Sequence, residues 1–396
     1  VILFEDHAHL PYGHYGLLYR QFAEALALEG YEVHVITRRG PAGDNAGLGI
    51  AGAASISCLA RRHRALAAFG YRAGVVTGGR FGNGIRQTAL VAAVRRRARR
   101  LPDGERTAAL IMSSVDIAWA AALAPARARW LLYAFTPAAK PHKPGSPVLN
   151  RIAAIRDRRR RRAGGRVELG VQHAGEAANW RARHPWLDPL VLPNTGSDPS
   201  TPTSRVEARR LLGLPADGNI GLVLGHAQGS KDVTAAFTAF SGAAHPGAGR
   251  LVAAGTRMAE RFDALRDARP ELRFDAVTLF DGYVGFEERH LLYSAANYAV
   301  ISFVNGWPFS SGTLADAVSY GLPVCCSEPG EAARLVTEYG LGVLFPAGDA
   351  DALVAAAADA ASFTVDPAGR QRFFTDFGTA EVVRALMAAI VGVPAA

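Results

Sequence analysis

The stretch Phe309-Ser310-Ser311-Gly312-Thr313-Leu314-Ala315-Asp316-Ala317-Val318-Ser319-Tyr320-Gly321-Leu322-Pro323-Val324 decides the reading of this chain. Small polar residues, Ser310 to Thr313, precede a run of helical character, Leu314 to Tyr320. That run stops at Gly321, and Pro323 leads into an apolar, strand-like Val324-Cys325-Cys326. A helix start carries backbone N–H groups without partners and the positive end of the helix dipole. Ser, Gly and Thr let an anion approach those amides closely, so the stretch is a candidate phosphate cradle. Asp316, about one turn in, can favour the dipole and reach a hydroxyl of whatever carries the phosphate. Taken alone, the same residues also describe an ordinary capped helix in an α/β domain.

Working outward, a regular series surrounds it. Ile220–Gly225 reads as a strand, followed by the polar loop His226-Ala227-Gln228-Gly229-Ser230-Lys231 and a helix with Val233, Ala236, Phe237 and Phe240. Leu251–Gly255, Val277–Phe280, Tyr298–Ser302, Val324–Cys326 and Leu341–Phe345 are further strands alternating with helical patterns. In an open parallel sheet, ligands bind beyond the carboxyl ends of the strands. Lys231, Tyr283, Asn305, Ser310 to Thr313 and Asp316 all follow strand ends, so the fold can gather them.

Toward the N-terminus, Val1–Asp6 reads as a strand without a signal-peptide pattern, followed by the loop His7-Ala8-His9-Leu10-Pro11-Tyr12-Gly13-His14. Leu17, Leu18, Phe22, Ala25 and Leu26 then recur at helical spacing, and Tyr31–Thr37 is the next strand. This is a βαβ unit with a ligand-facing first loop, but the loop lacks the three-glycine dinucleotide fingerprint. His7 and His9 could face one metal, as alternate residues of an extended segment do, but no later strand end supplies further ligands, so a metal hydrolase is a distant reading. Leu190–Asp198, a strand running into turn residues, marks a boundary. The expected domains are residues 1–195, 196–366 and a C-terminal segment 367–396.

With 396 residues, two domains are the default. No apolar run reaches the length of a membrane span. The sparse cysteines, Cys58, Cys325 and Cys326, read as small hydrophobes in a reducing cytoplasm. The net charge of +9 is unevenly spread: residues 1–197 hold 29 Lys and Arg against 13 Asp and Glu, and residues 198–396 hold 15 against 22. A basic half calls for an anionic partner. In Asn150–Arg162, Arg156 and Arg158 through Arg162 surround a small apolar face of Ile152, Ala153 and Ile155, which suits either an anionic lipid surface or solvent. No aromatic residues alternate with these arginines, which argues against a nucleic-acid channel.

The second half resembles the donor-binding domain of the retaining glycosyltransferases of family four. The resemblance rests on LVLGHAQGSKDVTAAFTAF, VTLFDGYVGFEERHLLYSAANYAVIS and GTLADAVSYGLPVCCSEPGEAARLV, with VLPNTGSD similar to the family hinge and PYGHYGLLYRQFAEALALEGYEVHVIT similar to its N-terminal loop, helix and strand. It implies a GT-B fold: two Rossmann-like α/β domains facing across a cleft, with C-terminal helices returning to the first domain. It also implies transfer of a sugar from a nucleotide diphosphate sugar, UDP favoured, to an acceptor hydroxyl with retention, without metal or cofactor. By resemblance Lys231 and the amides of Ser310, Ser311, Gly312 and Thr313 hold the diphosphate, Asp316 the ribose, and Tyr283 and Val284 the base. Gly13 and His14 face the diphosphate from the other domain. The chain departs from the family at His226, where a phosphate-binding Arg is usual, at His14, where a Gly is usual, near Phe135, where a His is common, and at Asn305, the nearest residue to a missing sugar-orienting Glu. These departures keep two other readings open, a GT-B nucleotide-binding or scaffold module and a nucleotide-sugar epimerase. The expected setting is the cytoplasm, with the basic domain against a membrane surface or an anionic, lipid-linked acceptor.

Overall fold

The computed structural model describes residues 1–5, 15–37, 53–58, 80–100, 108–112, 117–133, 147–172, 174–192, 203–227, 229–241, 247–304 and 311–391. His7, His9, Gly13, His14, Phe135, Asn305 and Ser310, and the hinge residues after Leu192, lie outside them. The chain divides into two units. One holds the described residues up to 192 together with the last helix, and the other those from 203 to 378.

The first unit is built on a parallel sheet of β1 (Ile2–Glu5), β2 (Val33–Thr37), β3 (Ala53–Cys58), β4 (Ala108–Met112), β5 (Arg129–Tyr133), β6 (Arg166–Val171) and β7 (Leu190–Val191), in the order β3-β2-β1-β4-β5-β6-β7. Strands buried on both faces read as continuous apolar runs, as Trp130 to Tyr133 do, because helices cover each side. One face packs Leu90, Val94, Ile117 and Ala121 against the sheet. The other packs Phe22 and Leu26 with Val383, Leu386 and Ile390 of the Thr379–Val391 helix.

Both C-terminal helices were expected on this unit, and one is not. The Pro367–Phe377 helix stays with the second unit because Phe373 and Tyr339 pack edge-on at 5.6 Å within that unit's core. Only Thr379–Val391 belongs to the first unit, where Arg384 pairs with Glu29 at 3.1 Å.

The Pro147–Arg162 helix leaves most of its expected apolar face open and buries charged residues instead. Its buried residues are Ala153, Asp157 and Arg160, while Ile152 and Ile155 face outward. The cause is the neighbouring Ile117–Leu123 helix, whose C-terminal carbonyls need donors. Arg160 supplies them, donating to the carbonyls of Ala121 at 2.5 Å, Ala124 at 3.3 Å and Pro125 at 3.1 Å. Asp157 compensates the buried guanidinium and accepts from Arg161 Nε at 2.7 Å.

The second unit is a parallel sheet of β8 (Ile220–Leu224), β9 (Arg250–Gly255), β10 (Val277–Asp281), β11 (Tyr298–Ile301), β12 (Val324–Glu328) and β13 (Gly342–Pro346), in the order β10-β9-β8-β11-β12-β13. Its cysteines behave as hydrophobes: both are fully buried, and burial pushes the Cys326 thiol up to about 12. The order reverses between β8 and β11. The chain leaves these neighbours toward opposite sides, which opens a crevice at their carboxyl ends.

Candidate functional site

At the carboxyl ends of the second unit's central strands, Lys231 and Thr313 come together. Leaving β8, the chain turns at Gly225, whose φ of +122° lies in the region that disfavours a side chain. It then reaches Lys231, which forms an antiparallel bridge with Phe303 just beyond β11. Asp232 N–H donates to the Ser302 carbonyl at 3.0 Å, and Val304 N–H to the Ser230 carbonyl at 3.0 Å. The two strand-end loops are thus tied together, and residues distant in sequence share one frame.

Lys231 is only part-buried as a residue, but its ammonium is enclosed and donates to the Leu224 carbonyl at 2.8 Å. Gly225 makes this possible, since a Cβ there would lie 2.5 Å from Lys231 Nζ. Burial, and secondarily the positive charge of Arg289, pushes this lysine from its ordinary 10.5 down to about 8. A small, mostly apolar cavity beside it is lined by Val223, Leu224, Val233, Val300, Ile301 and Phe303, with Lys231, Ser302 and Thr313 as its polar members. The Ser302 and Ser230 hydroxyls are buried without a hydrogen-bond partner among the described residues. A desolvated cation beside unpaired hydroxyls is an arrangement that an anionic, hydrogen-bonding ligand would complete.

The stretch read first in the sequence forms the opposite wall. The helix spans Gly312–Ser319, starting two residues before the expected Leu314. Ser311 is its N-cap, with Oγ accepting from Leu314 N–H at 3.4 Å. Helix geometry leaves the Gly312 and Thr313 amides without intrahelical acceptors. Thr313 is 4% exposed and reaches the same cavity as Lys231.

Asp316, one turn further in, is engaged by partners that the sequence reading missed. Its carboxylate pairs with Arg289 and accepts from Tyr293 Oη at 3.3 Å. Both side chains of the ion pair are largely buried, Arg289 at 15% and Asp316 at 13% exposure. Arg289 and Tyr293 sit one turn apart on the Phe286–Ala295 helix, with the guanidinium 5.9 Å from the Tyr293 ring centre. Tyr293 stacks on Tyr320 at 5.0 Å, and burial pushes the Tyr320 phenol up to about 12. His290 Nδ1 bonds Tyr320 Oη at 2.8 Å, while His290 Nε2 accepts from Thr203 N–H at 3.3 Å. The i, i+4 spacing of Arg289 and Tyr293 was visible in the sequence, but nothing local linked them to Asp316.

The remaining candidates are placed apart. His226 is exposed, and its Nδ1 bonds Thr256 Oγ1 on the loop after β9. Tyr283 follows the edge strand β10 and is 40% exposed, whereas Val284 packs on the core.

The loop after β9 supports the one after β8 through direct backbone contact. Gly255, at φ +138°, has no space for a side chain, since an added Cβ would lie 2.0 Å from the Gly225 carbonyl oxygen. Gly255→Ala is therefore expected to cost about 1–3 kcal/mol in chemical denaturation, the range for a non-glycine forced into such a conformation. An unchanged midpoint would show that the two loops are not packed as described.

No family model and no curated protein matches the sequence. The fold does have relatives among solved structures. A sucrose-phosphate synthase from Thermosynechococcus elongatus is similar with 20% identity and a TM-score of 0.66, covering 97% of this chain and 96% of that one. A glycosyltransferase from Rickettsia africae is similar with 11% identity and a TM-score of 0.65, covering 98% and 97%. HepE from Anabaena, solved in complex with UDP-glucose, is similar with 14% identity and a TM-score of 0.63, covering 99% of each chain. The architecture of two parallel-sheet α/β units is that of the GT-B fold.

Proposed function

We propose that the chain is a retaining, metal-independent glycosyltransferase that takes a sugar from a nucleotide diphosphate sugar, UDP favoured, and gives it to an acceptor hydroxyl. The observation that carries this reading is the enclosed Lys231 ammonium, sharing a cavity with Thr313 of the Gly312–Ser319 helix start and with the unpaired Ser302 hydroxyl. When the bond from the anomeric carbon to the diphosphate breaks, negative charge grows on the departing phosphate oxygens. A fixed cation and free helix amides stabilise that charge more than they stabilise the bound donor, which is the requirement for catalysis. Asp316 would hold the ribose, and Tyr283 and Val284 the base. Gly13 and His14 would face the diphosphate, with His14 and Asn305 orienting the sugar. The fold shared with HepE, which was solved with UDP and UDP-glucose, supports the choice of donor.

Calorimetric titration with UDP, GDP, ADP and inorganic phosphate tests the donor site. UDP is expected to bind at least tenfold more tightly than inorganic phosphate, because ribose and base contacts add to the diphosphate contacts. Incubation of a UDP-sugar panel with candidate acceptors, followed by NMR of the anomeric proton, tests transfer and retention. Absence of binding by every nucleotide would sink the reading.

The placement of His226, exposed and bonded to Thr256, favours one second reading, a nucleotide-binding module without transfer. Tight UDP binding with no turnover on any sugar or acceptor distinguishes it.

A further inference from the structure

We infer that the outer face of the Pro147–Arg162 helix is a docking surface for an anionic lipid bilayer. The inference rests on the rotational setting of this helix and stands independently of the sugar-transfer reading. A surface helix ordinarily turns its apolar residues inward and its charges outward. Here the sixteen-residue helix does the reverse at its key positions: Asp157 and Arg160 are buried, while Val148, Ile152 and Ile155 are 69%, 45% and 46% exposed.

The three exposed apolar residues are spaced at i, i+4 and i+7, so they form one continuous stripe. Arg159 extends the stripe by a further turn, and Arg151, Arg158 and Arg162 flank one side, all within about 120° of arc at the α-helical repeat. These four arginines are exposed and have no acidic partner among the described residues. By contrast, Arg161, Arg160 and Arg156 are committed to Asp157 and Glu168, to the Ile117–Leu123 helix end, and to the Ala122 carbonyl. The uncommitted charge thus coincides with the exposed isoleucines.

The chemistry of this face selects among occupants. A second copy of the same face would bring four unpaired guanidiniums against four others. Single-stranded nucleic acid would find the cations but no aromatic side chain on which a base could stack. A bilayer with anionic headgroups matches both features: apolar side chains enter the boundary between headgroups and acyl chains, and guanidiniums meet the phosphates at the same depth. No helix among the described residues is long and apolar enough to cross a membrane, so the contact is one of lying on the surface.

The test uses the whole chain and sedimentation with vesicles of phosphatidylcholine alone or mixed with phosphatidylglycerol. Binding is expected to the mixed vesicles and not to phosphatidylcholine alone, and to weaken as salt screens the charges. The combined variant Arg151→Gln, Arg158→Gln, Arg159→Gln, Arg162→Gln should bind mixed vesicles on the order of a thousandfold less well at low salt. Ile152→Ser with Ile155→Ser should lose a smaller but measurable share, and the residue should be abolished by salt, since only the electrostatic part remains. Both variants should keep the wild-type melting temperature and UDP affinity, because none of these side chains supports the core or the crevice. Equal binding by wild type and variants, no vesicle binding, or capture of a single-stranded RNA homopolymer without vesicle binding would each overturn the inference. The last outcome would assign the face to nucleic acid.

Discussion

Replacing Lys231 with methionine is expected to stabilise the ligand-free protein and to weaken UDP binding on the order of a hundredfold, the scale of a buried charge-assisted hydrogen bond. The two effects share one cause. Holding the ammonium in an enclosed site moves its pKa from 10.5 to about 8. That shift corresponds to about 3 kcal/mol of destabilisation of the charged form. The bond to the Leu224 carbonyl returns about 1 kcal/mol, so the net gain on substitution is about 2 kcal/mol. For a unit of this size the midpoint should rise by about 4–8 °C.

The sign of the pH dependence follows from the same shift. Below about pH 8 the lysine is protonated in both folded and unfolded chains, so the full cost is present. Between about 8 and 10.5 the folded protein releases its proton first, the unfolded chain binds more protons, and stability rises with pH. Lys231→Met should abolish that rise. UDP affinity should move oppositely, falling as the free protein passes through about pH 8, since a neutral amine cannot pair with phosphate. Thermal melts and calorimetry across this range check both. A lower midpoint with unchanged UDP affinity would make Lys231 a structural residue.

Asp316→Ala is expected to destabilise the protein by about 3–5 kcal/mol, because it leaves the Arg289 guanidinium buried without its partner. Arg289→Leu should cost less, since Asp316 keeps the Tyr293 hydroxyl. The double variant should recover much of the loss from Asp316→Ala, giving a coupling energy of about 1–3 kcal/mol in a double-mutant cycle. The cycle also separates structure from function. If Asp316 holds ribose as well as Arg289, the double variant regains stability but not UDP affinity. Recovery of both would confine Asp316 to the ion pair. Denaturation and titration of the four proteins decide between these outcomes.

Much of the second unit was legible because its signals are short-range. Apolar runs of strand length, each followed by glycine or small polar residues, gave the strands β8 to β13 and the loops beyond them. The cap at Ser311 and the stop at Gly321 follow from the needs of unpaired helix-end groups, which the sequence satisfies within a few residues. Lys231 was legible for the same reason, as a polar residue just past a strand end. The C-terminal pair was less so: two adjacent amphipathic helices look alike in sequence, and only the packing of Phe373 with Tyr339 keeps Pro367–Phe377 in the second unit.

The sequence by itself determined the alternation of strands and helices, the charge imbalance between the halves, and the small polar start of the helix at Gly312. Tertiary structure alone decided three things. The switch between β8 and β11 closed Lys231, Ser302 and Thr313 around one cavity, since strand order depends on which edges pair across tens of residues. Arg289 became Asp316's partner, because a buried carboxylate takes the nearest cation in space. The Pro147–Arg162 helix turned its isoleucines outward, because unpaired carbonyls on a neighbouring helix end claimed Arg160. Periodicity shows which residues share a face, but the neighbours decide which face turns inward. For the opening stretch, they also decide that Thr313 lines a cavity with a buried cation.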